Sequence, residues 1–237
     1  MPAGLPKGKS LSALAKVLAL ALVFYAGLSY VTLPFLWRSY ETRRPPAVAD
    51  LRATTTAHIP GDPINILLAG TAADLDAAMA AAGWYRADPI TLRTSLLLVR
   101  SIVLGRPYDT APVSTLLFQG RPEDRAYEKP IGNDADRRHH VRFWRAVAGN
   151  DAIWYGAASE DVAVGLNHLT GQFTHHIAPD IDQERDGLLA DLQKARRIGP
   201  IGWQTGIGPT ILAHNGEYDR FFTDGRQAFA TLVAAGP

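Results

Sequence analysis

The sequence that decides the fold is residues 138–159, which read RHHVRFWRA VAGND AIWYGAAS. Two arms rich in aromatic and β-branched residues, 138–146 and 152–159, flank the segment 147–151, which ends in the turn-forming residues Gly, Asn and Asp. Short runs of this kind on either side of a turn cluster are typical of paired strands. The pattern therefore predicts an antiparallel β-hairpin.

The segments before the hairpin alternate between strand and helix patterns. An apolar run ending in glycine predicts a buried strand, and Thr71 with Asp74 three residues later has the spacing of a capping box at a helix start. A second helix should end at Gly105, which is followed by Arg and Pro. In chain order, the predictions are a strand at 63–70, a helix at 71–83, a helix at Leu92–Leu104 and a strand at 113–119.

The segments after the hairpin predict further strands and a long helix. Asp180, with Gln183 three residues on, has the spacing of a helix N-terminus. Residues 161–168 extend or continue the second arm of the hairpin, and the further predicted elements are strands at 173–177 and 211–214 and helices at 180–197 and 225–233. The fold class that follows is α+β: a single domain with a mainly antiparallel sheet and packed helices, preceded by one apolar helix.

Residues 17–37, VLALALVFYAGLSYVTLPFLW, form a run of twenty-one residues without a charge. About 20 apolar residues span the ~30 Å hydrocarbon core of a bilayer, so this run predicts a transmembrane helix. A cleaved signal peptide is the alternative, but its apolar part is typically ~7–15 residues long. No small-x-small cleavage site follows the run directly. We therefore expect a single-pass membrane protein.

The charges that flank this helix leave its orientation open. They are Lys7, Lys9 and Lys16 before it, and Arg38, Arg43 and Arg44 after it. Because the N-terminal tail is too short to be a domain, we favour an N-in, C-out anchor. The chain then divides into a tail at 1–16, the transmembrane helix at 17–37, a juxtamembrane linker at 38–60, the α+β domain at 61–198 and a C-terminal extension at 199–237.

Charge and composition disfavour several kinds of site. The formal net charge is +1, with 24 Lys and Arg against 23 Asp and Glu, so the chain lacks the broad positive field that non-specific nucleic-acid binding needs. Cysteine is absent, which excludes a disulfide framework, a thiolate zinc site and a cysteine nucleophile. The Gly-x-Ser-x-Gly, phosphate-loop, HExxH and dinucleotide-binding glycine patterns are also absent.

Histidines crowd into one part of the chain, since five of the seven fall between His139 and His176. Because side chains alternate across a strand, we expect an apolar face with His139 and His175, and a polar face with the remaining candidates. Arginine guanidinium groups beside imidazole rings are suited to binding a phosphate or a carboxylate. The alternative is that these side chains are hydrogen-bonded partners within the core. The candidate ligand-binding residues are Arg138, His139, His140, Arg142, His175 and His176.

A metal site is a second possibility for the apolar face. His139 and His175 could bind a metal, with Asp180 or Asp182 completing the ligand set. Against this, the usual short ligand spacings are missing. Acidic residues in the first turn of a helix offset its dipole, and we favour that explanation for the acidic run that begins at Asp180. No cofactor is predicted.

Four segments together resemble the LssY C-terminal domain family of bacteria, over roughly residues 61–198. The resemblance implies an envelope protein, because the family is named after a proposed type I secretion component. It also implies lipid or phosphate chemistry, because the domain is often fused to DedA-type or phosphatidic-acid-phosphatase-type membrane domains. This chain has one apolar helix, so the activity of such partners does not carry over to it. The segments are GRPYDTAPVS (105–114), RRHHVRFW (137–144), WYGAAS (154–159) and TGQFTHHIAPDIDQERD (170–186).

From these patterns we expect an accessory or binding domain of the bacterial inner membrane, on the periplasmic side. Its expected ligand is an anionic or phosphorylated group, such as a lipid head group or a small anion, and its partners are membrane lipid and membrane proteins. The rival hypothesis is a hydrolase of a phosphorylated or lipid substrate that uses the clustered histidines, with or without a metal. A third is a protein-interaction module in secretion, which should have an exposed apolar patch. Whether the protein is an enzyme stays open at this point.

Overall fold

The computed structural model describes residues 9–36, 51–132, 137–146, 153–169, 171 and 173–235. The first described element is helix α1 (Lys9–Gly27), which continues through a π-helical turn at Leu28–Thr32 and is helical as far as residue 36, where this described range stops. One helix, Ala13–Leu36, is long and apolar enough to cross a membrane, which confirms the apolar helix predicted at 17–37. A signal sequence in this position meets the same criterion.

The predicted hairpin is confirmed, and it forms the centre of the main sheet. Strand β8 (Arg138–Arg145) pairs antiparallel with β9 (Ile153–Leu166). The predicted turn between them, at 147–151, lies outside the described residues. In the register of this pair, Arg138 lies opposite Asp161 and His140 lies opposite Ser159. This register decides which side chains meet in the buried interior.

The main sheet has eight strands among the described residues. All neighbouring pairs are antiparallel except β14 with β3, which is parallel. Both β3 and β10 pair with the long strand β9, at its two ends. In order across the sheet, the strands are β11 (Gly202–Thr205), β14 (Arg226–Thr231), β3 (Ile66–Ala69), β9, β8, β7 (Arg125–Pro130) and β4 (Tyr85–Arg86), with β10 (Phe173–Ile177) against the end of β9.

Two helices cover one face of the main sheet. Helix α2 (Ala72–Ala81) starts with the predicted capping box of Thr71 and Asp74. Helix α4 (Ile181–Lys194) starts at Asp180, whose side chain accepts from the backbone N–H of Gln183, as predicted. The apolar core forms here because every second residue of the strands and every third or fourth residue of the helices face each other. Its buried members include Ile66, Leu68, Leu75, Met79, Phe143, Leu188 and Leu192.

A second sheet covers the opposite face of the hairpin. Trp144 and Ala157 of the main sheet pack there against Leu116 and Phe118. The polar face of β8 is therefore buried between two sheets. Strand β1 (Arg52–Thr55) lies within the segment 38–60 that was predicted as a linker. The second sheet consists of β2 (Pro60–Pro63), β1 (Arg52–Thr55), β5 (Leu116–Phe118) and β6 (Arg121–Pro122), in that order.

The C-terminal part contains strands where a helix was predicted. The helix predicted at 225–233 is wrong, because Arg226–Thr231 form strand β14, which pairs with β3 inside the main sheet. Alternation of buried and exposed residues along this strand outweighs the helix propensity of its alanines. Strand β12 (Thr210–His214), predicted at 211–214, is confirmed and pairs with β13 (Arg220–Thr223). Helix α3 (Leu92–Leu104) has its predicted bounds.

Candidate functional site

Arg138 is held between two carboxylates under the second sheet. Its Nη1 donates to Glu128 Oε2 at 2.7 Å and its Nε donates to Asp161 Oδ2 at 2.9 Å. The side chain is 4 % exposed. A guanidinium this deep is stable only when it is paired and hydrogen-bonded. Its charge is therefore committed to internal partners.

His140 continues this arrangement on the same face of β8. Its Nε2 lies 2.9 Å from Ser159 Oγ, and its Nδ1 lies 3.2 Å from Asp161 Oδ1. Ser159 Oγ also donates to Asp62 Oδ2 at 3.0 Å. Burial acts to lower the pKa of His140, but Asp161 and Asp62 together outweigh burial, so this pKa lies above its ordinary value. His140 is thus paired with two buried acidic residues, Asp161 and, at 4.0 Å, Asp62.

The Ser159, His140 and Asp161 distances resemble those of a hydrolytic triad. Ser159 is fully buried and its hydroxyl is shared with Asp62. A nucleophile must be reached by its substrate, and nothing in this geometry opens the hydroxyl to solvent. We assign the three residues to the buried interior.

Arg142 completes the set that we call the buried ion network: Arg138, His140 and Arg142 with Asp62, Glu128 and Asp161. Arg142 Nη1 lies 3.3 Å from Asp62 Oδ2, and its Nε donates to the carbonyl oxygen of Ser114 at 2.9 Å. Its Nη2 donates to Ser114 Oγ at 3.0 Å. The network contains three basic and three acidic side chains, so each basic side chain has an acidic partner inside the domain.

Burial and pairing shift the pKa values of the network in opposite directions. Burial raises the pKa of Glu128 to about 8, although Arg138 acts to lower it. Burial also acts to raise the pKa of Asp161, but the charges of His140 and His175 outweigh it and hold that pKa well below its ordinary value. Asp62 has a lowered pKa because its bonds to His140 and the charge of Arg142 outweigh burial.

A cavity of about 530 Å³ opens beside this network, at the end of the apolar helix. We call it the helix-end cavity. Tyr30 and Pro34 of the apolar helix form part of its wall, and Ser114, Thr174 and Glu217 contribute polar groups. The rest of the lining is Thr55, Thr56, Ala57, Ile59, Ile90, Thr115, Leu116 and Asn167.

The helix is fixed against the domain at the turn between β9 and β10. The hydroxyl of Tyr25 donates to the carbonyl oxygen of Gly171, and Ser29 is buried. A Cβ atom at Gly171 would lie 3.0 Å from Ser29 Oγ, so the glycine permits this close approach. The Asn167 Nδ2 group in turn donates to the carbonyl oxygen of Gly216 at 3.0 Å. These contacts join the helix, the turn and the 215–219 loop into one wall of the cavity.

The family model for the LssY C-terminus matches residues 43–226. The chain belongs to the LssY C-terminus family. No curated protein and no solved structure matches it. The match is longer at both ends than the 61–198 read from the sequence, and it includes β1 and β2 as well as β12 and β13.

The three remaining histidine candidates of this LssY C-terminal domain lie in different surroundings. His139 Nδ1 lies 2.7 Å from Glu184 Oε2, on the face covered by α4. His176 Nδ1 lies 2.7 Å from Asp219 Oδ1. His175 lies near the buried ion network, and its pKa is lowered by burial and further by the charges of Arg138 and others. The grouping of His175 with His139 on one face stays a prediction. In the register of β10 with β9, Ile177 lies opposite Asp161.

The predicted metal ligands are not brought together by the LssY C-terminal domain. Asp180 caps α4. Asp182 accepts from Arg185 at 3.1 Å and from the hydroxyl of Thr223 at 2.7 Å. The side chains of both aspartates therefore accept hydrogen bonds at or near the start of α4, which agrees with the interpretation of the acidic run as part of the first helical turn. His139 clusters instead with Glu160 and Glu184.

Sequence reasoning missed the acidic half of this site. The register of the predicted hairpin would have placed Ser159 and Asp161 opposite His140 and Arg138, so a signal was present. Asp62, Glu128 and Glu217 carry no such signal, because they reach the site through other strands and a loop. Burial raises the pKa of Glu217 to about 7, and its Oε1 accepts from the hydroxyl of Thr174 at 3.3 Å.

Proposed function

We propose that this protein is a membrane-tethered binding domain that holds the polar head of a membrane lipid in the helix-end cavity. One observation carries the proposal: the apolar helix and the polar side chains of the domain line the same cavity. A lipid lying along the helix would bring its head group to these side chains. The volume of about 530 Å³ lies in the range of roughly 300–1,000 Å³ that is usual for ligand sites.

A phosphorylated head group fits the polar wall through Ser114. Arg142 donates to Ser114 Oγ, so the hydroxyl proton of Ser114 is left to donate elsewhere. Because Ser114 also lines the cavity, this proton can serve an acceptor such as a phosphate oxygen. The cation behind the hydroxyl strengthens such a bond. Arg142 thus contributes indirectly, while its own charge stays paired with Asp62.

Binding of dihexanoyl phosphatidic acid to the full chain in detergent tests this role. Ser114→Ala should weaken the affinity by about tenfold or more, since a hydrogen bond to a charged group is worth ~1.5–3 kcal/mol. Ser95→Ala on α3 is the matched control, because Ser95 is not part of the cavity lining. Absence of saturable binding, or equal affinities for Ser114→Ala and the wild type, would remove the support for a phosphorylated head group.

The tether is part of the same proposal. We propose that residues 13–36 stay uncleaved and hold the domain at the bacterial inner membrane, with a periplasmic location favoured. The full chain should then remain in the membrane pellet after alkaline carbonate extraction. N-terminal sequencing distinguishes a signal peptide, since a mature chain that begins beyond residue 37 would contradict an anchor.

A hydrolase of phosphorylated or lipid substrates is the second candidate function. The observation that favours it is the His176–Asp219 pair beside the cavity, because a carboxylate-oriented histidine is the arrangement of a general base. Phosphate release from phosphatidic acid, abolished by His176→Gln, would support it. Binding without turnover would leave the first proposal in place.

A further inference from the structure

We propose that His168, His176 and Asp219 form a binding site for a divalent transition metal ion, with Zn²⁺ as the reference ion, at the edge of the helix-end cavity. Two imidazoles and a carboxylate are ligands that Zn²⁺ and its neighbours prefer. This site does not depend on lipid binding, and the two can be tested separately.

The distances within this cluster suit a metal ion. One ligand atom from each residue lies within 4.8 Å of the others. Asp219 Oδ1 lies 2.7 Å from His176 Nδ1 and 3.7 Å from His168 Nε2. Metal–ligand bonds of about 2.0–2.2 Å in a tetrahedral arrangement separate ligand atoms by roughly 3.3 Å. Each of the two distances to Asp219 differs from this separation by roughly half an ångström, so modest shifts of the side chains would seat an ion.

Asp219 is oriented before any ion binds. Its Oδ2 accepts from the backbone N–H of Ile177 at 3.1 Å, which leaves Oδ1 directed at the histidines. Asn215 Oδ1 accepts from the backbone N–H groups of both Glu217 and Asp219, at 3.0 Å and 2.8 Å. These hydrogen bonds stabilise the turn formed by residues 215–219. A pre-oriented carboxylate lowers the ordering cost of binding.

The two histidines are also placed by their surroundings. A Cβ atom at Gly165 would lie 2.3 Å from His176 Nε2, so the glycine provides the space in which this ring lies. The other ring nitrogen, Nδ1, is the one presented to Asp219. His168 follows Asn167, whose Oδ1 accepts from the backbone N–H of Leu169 at 2.8 Å, within the turn against which the apolar helix packs.

A second cluster, His139 with Glu160 and Glu184, is less suited to a cation. Glu160 already pairs with Arg137 at 3.3 Å. The positive charge of Lys129 also acts on His139. Around Asp219, by contrast, the ion pairs found in the described part of the chain are those with His168 and His176. The electrostatics therefore favour a cation at Asp219.

The site borders the cavity and is open to solvent. Each ligand is close in sequence to a lining residue: His168 comes directly after Asn167, His176 is two residues after Thr174, and Asp219 is two residues after Glu217. The side chain of His168 is 57 % exposed. An ion held by three protein ligands keeps a position for water or a ligand oxygen.

Zinc binding by the full chain in detergent, after removal of metal with a chelator that is then dialysed away, tests the proposal. We expect one Zn²⁺ per chain, measured by competition with a chromophoric chelator, and a tetrahedral absorption spectrum with Co²⁺. His168→Asn should weaken the affinity for Zn²⁺ by about tenfold or more. His139→Gln, in the second cluster, should leave the affinity unchanged.

His168 is exposed, so its substitution tests the site without a risk to folding, whereas Asp219→Asn alone would be ambiguous. The proposal is overturned if the wild type binds no Zn²⁺, if His168→Asn binds as tightly as the wild type, or if His139→Gln is the variant that loses the ion. Affinity for dihexanoyl phosphatidic acid, measured on the same variants without metal, keeps a failure of this site distinct from a failure of lipid binding.

Discussion

Arg138 illustrates how a charged strand residue becomes part of the interior of this domain. It lies between Glu128 and Asp161 and is almost fully buried. Its neighbour Arg137 points outward, is 52 % exposed and pairs with Glu160 at 3.3 Å. Two adjacent arginines therefore have the same chemistry but different energetic roles.

Arg138→Met should destabilise the protein by about 3–5 kcal/mol, because the buried carboxylate of Asp161 loses its cation and buried Glu128 loses a hydrogen-bond donor. Arg137→Met should change the free energy of unfolding by no more than about 1 kcal/mol, since exposed ion pairs contribute little. Chemical denaturation in detergent measures both. Similar effects for the two variants would contradict the assignment of Arg138 to a buried network.

The network also predicts how stability depends on pH. The pKa of His140 lies above its ordinary value of 6.5, so its stabilising contribution is lost as pH rises through the folded-state pKa. Glu128 has a pKa raised from 4.5 to about 8, so folding becomes less favourable as pH rises between these values. Both groups act in the same direction.

We therefore expect the Tm at pH 8.5 to be lower than at pH 6 by at least about 2 °C. Glu128→Gln should reduce this difference, because the amide oxygen still accepts from Arg138 but cannot ionise. Differential scanning calorimetry of the full chain in detergent provides the comparison. A Tm that rises or stays constant between the two pH values would contradict the prediction.

At the same scale, the sequence predicted which residues crowd together better than what they do. Arg138, His140 and Arg142 share a face as alternation requires, but their partners come from three other segments. Pairing with Asp62, Glu128 and Asp161 turned a predicted anion-binding surface into a neutralised interior. The sequence of a single strand cannot predict these partners, because its pattern does not indicate which other segments pack against it.

At the scale of elements, α3 stands out because its outer face is apolar. Leu92, Leu96, Val99 and Val103 recur at helical spacing and are all exposed. The helix contains Arg93 and Arg100 and no acidic residue. Ile90, just before its start, lines the helix-end cavity together with Tyr30 and Pro34. This placement and charge are typical of a helix that lies in a membrane interface.

We expect the outer face of α3 to contact lipid when the full chain is reconstituted in liposomes. The chain has no cysteine, so Leu96→Cys and Val103→Cys can each carry a single environment-sensitive fluorophore. Brominated lipids should quench both labels, because the side chains insert below the head groups. Gln193→Cys on α4 is the control and should not be quenched. Equal quenching at all three positions, or none at α3, would contradict an interfacial α3.

The sequence predicted elements well where the local signal was complete. Thr71 and Asp74 form the expected capping box, and α3 has the predicted bounds. The failure at 225–233 has a physical cause: β14 is a strand because β3 and β11 lie on either side of it. Pairing with strands distant in sequence therefore determines the conformation of this segment.

At the scale of the whole molecule, three layers and one helix define the cavity. Helices α2 and α4, the main sheet and the second sheet enclose the core and the buried ion network. The apolar helix then adds one wall to the cavity on the outside of these layers. An α+β domain with a spanning helix could be predicted from the sequence, but the cavity could not, because its walls come from segments between residues 30 and 217.

The number of lipid molecules retained per chain tests the lipid-binding proposal most directly. Native mass spectrometry of the full chain, released from its membrane into mild detergent, should detect one bound lipid. Ala57→Trp places a large side chain in the lining and should abolish retention, whereas Ala80→Trp, exposed on α2, should not. Equal retention by the two variants, or a wild-type chain that carries no lipid, would contradict a head-group site in the helix-end cavity.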